Sequence, residues 1–324
     1  MLRYAARRLG SLIPVLLAMA TLVWVVMILM PGDPALLMAG RGADPRVLQA
    51  IEDEFGLDRS WPVQYGIYMT RLMRLDLGRS YVQERPVRDI LLERAWPSAL
   101  LAFASMSIAL LVGVVGGVLS AMHPEGKGDR LILLASLGSV AVPVFWLGIL
   151  LRMVFASWLD WLPVSRYTAG DRPPALLFGV EWLPLPDLAN LVLPALTLAA
   201  FSAGYFVRVV RASLLDVLSE DFVRTARAKG LSRWTVLQRH ALSHGLAPLA
   251  TVAGLQLAAL MGGAIATEFI FDWPGMGSTL LRGIQMRDLP VVSGCVIFLT
   301  MTFVLINLLV DLSYAWLDPR LRDA

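Results

Sequence analysis

The sequence predicts an all-α integral membrane protein with six transmembrane helices, a compact cytoplasmic helix-turn-helix and a helical extracytoplasmic segment. Three observations predict it. Of the 324 residues, 57% are hydrophobic and only 16% are charged, with a mean hydropathy of +0.66; a soluble core of this length does not bury so much apolar surface. Six apolar runs approach or exceed the roughly 18 residues that cross a bilayer as a helix, at residues 9–30, 98–122, 131–158, 188–210, 246–271 and 290–312. Lys and Arg cluster in alternate connecting segments, as the retention of positive charge in the cytoplasm demands.

The first run follows Arg3, Arg7 and Arg8, and Ala18-Met19-Ala20 imitates a signal-peptide cleavage site. Apolar sequence nevertheless continues from Thr21 to Met30, too long for a signal core, so the run reads as a retained anchor. With three Arg and no acid before it, the N-terminus is expected in the cytoplasm. The stretch from Arg208 to Arg239, with six Arg and one Lys against Asp216, Glu220 and Asp221, is expected there too, as is the tail with Arg320 and Arg322.

Three parts follow: residues 1–30, tail and first span; residues 31–96, outside; and residues 97–324, a five-span core whose cytoplasmic loop covers 211–245. The outer segment carries helix signals. Asp44-Pro45 before Val47, Leu48 and Ile51, ending at Gly56, reads as one capped amphipathic helix; a second runs from about Pro62 to Leu75; a third starts at Pro86 and leads into the second span. They either lie on the outer membrane face or form a docking surface for an external partner.

Sites of covalent or metal chemistry are missing from the sequence pattern. One cysteine, Cys295, allows no internal disulfide, and three histidines leave little for a metal. There is no phosphate-cradling G-x-x-x-x-G-K-[ST] and no G-x-S-x-G nucleophile turn. His240 and His244 stand four apart but without a glutamate between them, as interfacial residues do. Glycines at Gly113, Gly116, Gly117, Gly262 and Gly263 suit close helix packing in a membrane bundle.

Ionisable residues inside spans are costly, which singles out Arg152, Glu268 and Asp311. Glu268 precedes the aromatic, Gly-rich outer turn Phe271-Asp272-Trp273-Pro274-Gly275-Met276-Gly277. Glu268, Asp272 and Trp273 are therefore candidates for a pathway or gate, the alternative being a structural polar contact. On the gate reading, Phe271 and Trp273 sit at the membrane interface.

The most polar loop lies between the fourth and fifth spans. Ser219 is expected to cap a helix with Glu220 and Asp221 in its first turn and Arg227 and Lys229 in its last, before Gly230; Ser232 caps a second helix through Trp234, Val236 and Leu237. Two helices meeting within two residues turn sharply and project as a knob. A DNA-reading helix-turn-helix has the same outline but needs a soluble domain around it, and only 35 residues separate the two spans. No nucleic-acid partner is expected.

Aligned on Gly230, this loop resembles the coupling motif of bacterial ABC-importer permeases, E-A-A-x-x-x-G followed by I-x-L-P. Ala226 and Leu242 match, whereas Arg224 and Thr225 replace the first Glu and Ala, His240 the Ile and Ser243 the Pro. The variant Val-Arg-Thr-Ala-Arg-Ala-Lys-Gly-Leu is similar to that of the peptide and nickel subfamily. Pro31-Gly32-Asp33-Pro34, Phe55-Gly56-Leu57-Asp58, Asp76-Leu77-Gly78-Arg79-Ser80, Pro143-Val144-Phe145-Trp146-Leu147-Gly148, Trp273-Pro274-Gly275-Met276-Gly277 and Leu317-Asp318-Pro319-Arg320 resemble the same subfamily in order. The long outer segment resembles its B-type subunit.

The resemblance implies a type I ABC importer permease-like subunit in the bacterial inner membrane. It would form a heterodimer with a homologous second permease and serve two cytoplasmic ATPase subunits and an extracytoplasmic substrate-binding protein, surrounded by membrane lipid. It implies no cofactor on this chain, with ATP and Mg on the ATPase subunits. It places ATPase coupling on Asp221, Phe222, Arg224, Thr225, Ala226, Arg227, Lys229, Gly230 and Leu231. The rival is a secondary transporter driven by an ion gradient, which calls for an inverted repeat, broken helices and a buried carboxylate relay.

Overall fold

A computed structural model of the chain describes residues 2–29, 58–164 and 188–317, with Asp44, Arg46 and Gln49. The described residues are almost entirely helical. Their helices are α1 (Leu2–Leu29), α2 (Trp61–Met73), α3 (Val87–Met122), α4 (Lys127–Ala141), α5 (Val144–Leu151), α6 (Leu188–Ser219), α7 (Asp221–Ala228), α8 (Arg233–Val236), α9 (Leu242–Gly245), α10 (Ala247–Gly263), α11 (Ile265–Ile270), α12 (Met276–Met286) and α13 (Leu289–Leu317). Four of them, α1, α3, α6 and α13, contain a stretch long and apolar enough to span a bilayer; α9 with α10 supplies a fifth, and the bent pair of α4 and residues Val144–Trp158 makes a sixth.

At the centre, α3 packs along α6. Gly113 and Gly117 make this possible: a Cβ on either would stand 2.4 Å from the Phe206 Cβ or 2.6 Å from the Val210 Cβ. Small residues thus bring the two backbones together where dispersion between helices, not escape from water, drives association. Met106, Ala109, Phe206, Val210, Leu214, Leu237, Ala241 and Leu249 form the buried core around this contact. By contrast, among the described side chains of α1 only Ala20 and Val23 are buried. It leans on α2 through a Thr21–Tyr65 hydroxyl hydrogen bond of 2.8 Å and a Trp24–Tyr65 edge-on ring contact.

Two expected spans are not straight helices. The third breaks between α4 and α5 with a bend of 103°. Pro143 supplies no N–H and forces the preceding residue out of the helical region, and Val142 is indeed extended at φ −83°, ψ 126°. Beyond α5 the chain widens into π-helical turns over Arg152–Trp158, where the Arg152 guanidinium donates to the Ile270 carbonyl at the end of α11. The fifth expected span stops at Gly263, after which Ala264 turns the chain into the short α11. Paired glycines hold a helix weakly, so the break falls where packing of α11 needs it.

In the outer segment, the Arg46 N–H donates to the Asp44 carboxylate at 2.9 Å, as a cap would; the rest of that expected helix lies outside the described residues. The second expected helix is α2. The third is continuous with the second span, forming α3, so the boundary placed between residues 96 and 97 falls inside one 36-residue helix. The Asp76–Ser80 motif is a structural clasp. Asp76 accepts from the Gly78 N–H at 3.0 Å, Gly78 has φ +77°, and buried Asp288 accepts from the Ser80 hydroxyl and the Tyr81 and Val82 N–H groups.

Candidate functional site

The expected knob is built from α7 and α8. Its inner face is apolar: Val223, Ala226 and Val236 are buried against Leu218. Its outer face is exposed at Asp221, Phe222, Arg224, Thr225, Arg227, Lys229, Gly230 and Leu231, next to exposed Trp234, and the Phe222 ring lies tilted against His244 at 5.8 Å. Helix α7 ends in a left-handed turn at Gly230, φ +86°, where the Gly230 N–H donates to Arg227 O at 3.0 Å and the Leu231 N–H to Ala226 O at 3.3 Å. Both are the bonds of a glycine-terminated helix. Ser232 then caps α8, accepting from the Thr235 N–H at 3.2 Å. Ser219, however, caps nothing. Its hydroxyl donates back to Asp216 O at 2.7 Å, and Glu220 is the residue that precedes α7.

Two contacts hold together the helices on which the knob is carried. A Cβ on Gly245 would lie 2.4 Å from a Leu214 methyl, so the returning chain crosses α6 at contact distance. Close by, Arg211 of α6 grips Asp129 of α4 with two hydrogen bonds of 2.7 Å. Asp129, 3% exposed, also accepts from the Ser120 hydroxyl and the Glu125 N–H. This pair ties α3, α4 and α6 at the knob end of the bundle. Sequence reasoning missed it, because the partners lie 82 residues apart and neither stands inside an apolar run.

At the opposite end, Glu268 is 1% exposed and fully engaged. One carboxylate oxygen accepts from the Ser98 hydroxyl at 2.6 Å; the other accepts from the Ser278 N–H at 2.9 Å, and the Gly277 N–H also donates to the group. Ser98 in turn accepts from the Met276 N–H at 2.8 Å. An internal carboxyl group therefore fills the N-terminus of α12 and supplies acceptors to its otherwise unpaired N–H groups. Glycine is required around it: a Cβ on Gly275 would fall 2.2 Å from a Glu268 carboxylate oxygen.

Trp273 and Phe271 are fully buried in protein, not at a membrane interface, and the Trp273 indole N–H donates to Pro97 O at 2.9 Å. The turn folds back on α3 and hides both rings. Asp272 alone is exposed, ion-paired with Arg282 at 2.6 Å.

Between these two ends, beside the Pro143 bend, Val144, Phe145, Phe201, Ser202, Gln256 and Thr267 line a hollow bounded by α5, α6, α10 and α11. Ser105 and Thr197 satisfy their hydroxyls on the carbonyl four residues back, whereas the buried Ser202 hydroxyl has no partner. Neither Ser202 nor Gln256 is conspicuous in sequence, since each is one polar residue in an otherwise apolar run.

Comparison with known proteins settles what carries this geometry. Residues 113–323 match the binding-protein-dependent transport system inner membrane component, and residues 1–102 match the N-terminal component of such transport systems. The chain belongs to this permease family. It is 40% identical over 322 residues to a glutathione transport system permease protein of Pectobacterium atrosepticum, covering 99% of both chains. It is also 40% identical over 316 residues to a putative peptide transport system permease protein of Brucella abortus, covering 98% of both. The solved inward-facing MetNI methionine ABC transporter shares the fold, with a TM-score of 0.54 at 16% identity over 71% of this chain and 96% of that one.

The family resemblance read from the motifs thus holds along the whole chain. This permease is a multi-pass inner-membrane subunit of an ATP-driven importer, and not itself an enzyme. The broken third span, a feature that the ion-gradient alternative called for, occurs here within an importer permease.

Proposed function

We propose that the permease forms half of a peptide-import pathway, paired as a heterodimer with a homologous second permease. Two cytoplasmic ATPase subunits, carrying ATP and Mg, dock on the knob at Asp221, Phe222, Arg224, Thr225, Ala226, Arg227, Lys229, Gly230 and Leu231. Both termini and the knob face the cytoplasm, and an extracytoplasmic binding protein delivers the solute. The cargo is a short peptide or a peptide-like solute such as glutathione, a reading supported by what the relatives are named for.

The observation that carries the proposal is the knob's two-sidedness. One face is locked to the bundle by Val223, Ala226 and Val236, while the other presents Phe222, Leu231 and Trp234 to the outside. A partner that moves this knob moves α6 with it, because α7 follows α6 after a single residue and Arg211 fastens α6 to α4. The Ser202–Gln256 hollow is the place for solute contact, and the Glu268, Asp272 and Trp273 turn braces the outer mouth as its gate.

Reconstitution tests this. Vesicles holding both permeases should accumulate labelled dipeptide only with ATPase subunits, ATP and binding protein present. Uptake driven by an ion gradient without the ATPase subunits would defeat the proposal.

A further inference from the structure

A second cavity lies away from the knob, the hollow and the outer turn. It sits between the last turns of α1, the inner side of α2, the Asp76–Tyr81 clasp and the first turns of α13, with a volume of about 120 Å³. An engineered apolar cavity of about 150 Å³ admits benzene, so this one has room for several methylene groups. Its walls divide by chemistry. Trp24, Met27, Ile28 and Ile297 come from the two spans, whereas Tyr68, Arg71, Asp76 and Tyr81 come from the outer segment.

Two of those polar residues are unsatisfied. The Tyr68 and Tyr81 hydroxyls are buried and have no hydrogen-bond partner, although almost every buried polar group in a native protein has one. Burial pushes the Tyr68 phenol up to about 12 and raises Tyr81 as well, with Asp288 adding to the latter, so both remain neutral donors at any physiological pH. What they lack is an acceptor. Arg71 is paired with Asp76 at 2.9 Å, which leaves the polar rim without net charge from that pair.

We propose that this cavity binds a zwitterionic phospholipid, one acyl chain lying between α1 and α13 and its ester oxygens accepting from the Tyr68 and Tyr81 hydroxyls. Apolar walls on the spans and hydrogen-bond donors on the outer segment match the order of groups along a lipid at the membrane boundary. The lipid would fill the gap left by the sparse packing of α1, whatever solute the permease carries.

The test uses the full complex in nanodiscs containing phosphatidylethanolamine with a diazirine on one acyl chain. Irradiation should place adducts on residues 24–28 and 289–297, the span walls of the cavity, well above those on the exposed α3 face around Leu111. The double variant Tyr68→Phe/Tyr81→Phe should lose about tenfold or more of this labelling, as two hydrogen bonds warrant. Ile297→Trp, which fills the cavity, should abolish it. Thermal melting gives an independent sign. With lipid bound, the double variant melts below the parent; in a cavity without a ligand, removing two unpaired hydroxyls leaves the melting temperature unchanged or raises it. Labelling no higher than on the α3 face, or a double variant that labels like the parent and melts no lower, would overturn the proposal. Because neither readout involves transport, failure here leaves the import reading intact.

Discussion

Replacing Glu268 separates a gate from a mere cap. Glu268→Ala removes the acceptor of three buried donors: the Ser98 hydroxyl and the Gly277 and Ser278 N–H groups. At about 1–3 kcal/mol for each buried group left unpaired, the loss is at least about 3 kcal/mol. That is a large part of the ~5–15 kcal/mol by which folded proteins are stable, so assembled complex should fall sharply. Glu268→Gln keeps the shape and one acceptor oxygen but replaces the other acceptor with an amide NH2 that faces a donor, costing about 1–2 kcal/mol. Assembly should survive. If the brace sets the closed state of the outer mouth, a shift of that size moves the open–closed balance roughly 5- to 30-fold. Dipeptide uptake per assembled complex should then drop severalfold in Glu268→Gln, with raised ATPase activity in the absence of binding protein. Uptake divided by complex, quantified on the same vesicles, decides it. An unchanged ratio in Glu268→Gln, and in Trp273→Phe, which loses the bond to Pro97 O, would refute the gate and leave a structural cap.

Further outcomes follow from the other contacts. Gly230→Val should cost about 1 kcal/mol or more, since φ +86° strains a β-branched residue although no atom lies within 4 Å of its Cβ; binding-protein-stimulated ATP hydrolysis should fall while assembly persists, with Gly230→Asn milder. Arg211→Met should destabilise the permease by about 1–3 kcal/mol by leaving the Asp129 carboxylate without its cation, and Asp129→Asn by less, because the Arg211 side chain is 21% exposed and water can solvate it; the double variant should recover most of the loss in a thermal-melting cycle. A cysteine at position 219 should react with an impermeant thiol reagent only in inside-out vesicles; the native Cys295 is fully buried and silent. Labelling in intact cells would overturn the orientation.

The features legible in the sequence are those that local chemistry dictates. Apolar run length gave the spans, and Gly230 and Ser232 gave the knob's turn and cap, because each acts through its own backbone or a partner within a few residues. Gly113 and Gly117 signalled a close approach, though not that Phe206 and Val210 are what they meet. The polar braces were illegible for the converse reason. Asp288 reaches Ser80 across 208 positions and Glu268 reaches Ser98 across 170, and nothing local marks a carboxylate as spoken for. Trp273 misled because an aromatic residue beside a span reads as a membrane-interface anchor, whereas burial depended on the turn folding back over Pro97. The 103° bend had a local cause in Pro143, but its size reflects packing around the hollow.

The braces share one design. Each is a buried carboxylate that ties its own element to others: Asp129 joins α3, α4 and α6 at the knob end, Glu268 joins α3, α11 and α12 at the other, and Asp288 fastens the outer clasp to the start of α13. All three sit at helix ends, and their burial is offset by an arginine at Asp129, by first-turn N–H groups of α12 at Glu268 and by the turn N–H groups of Tyr81 and Val82 at Asp288. Between the braces, α3 and α6 lie against each other through glycine contacts that hold by shape and contain no charge. None of the three carboxylate braces crosses the Pro143 bend or the Gly263–Ala264 break. Those two joints flank the hollow that contains Ser202 and Gln256. If the proposed coupling holds, a push on the knob changes the hollow's width at these joints, and stiffening one of them by Gly263→Ala should slow uptake per complex without loosening any of the three braces.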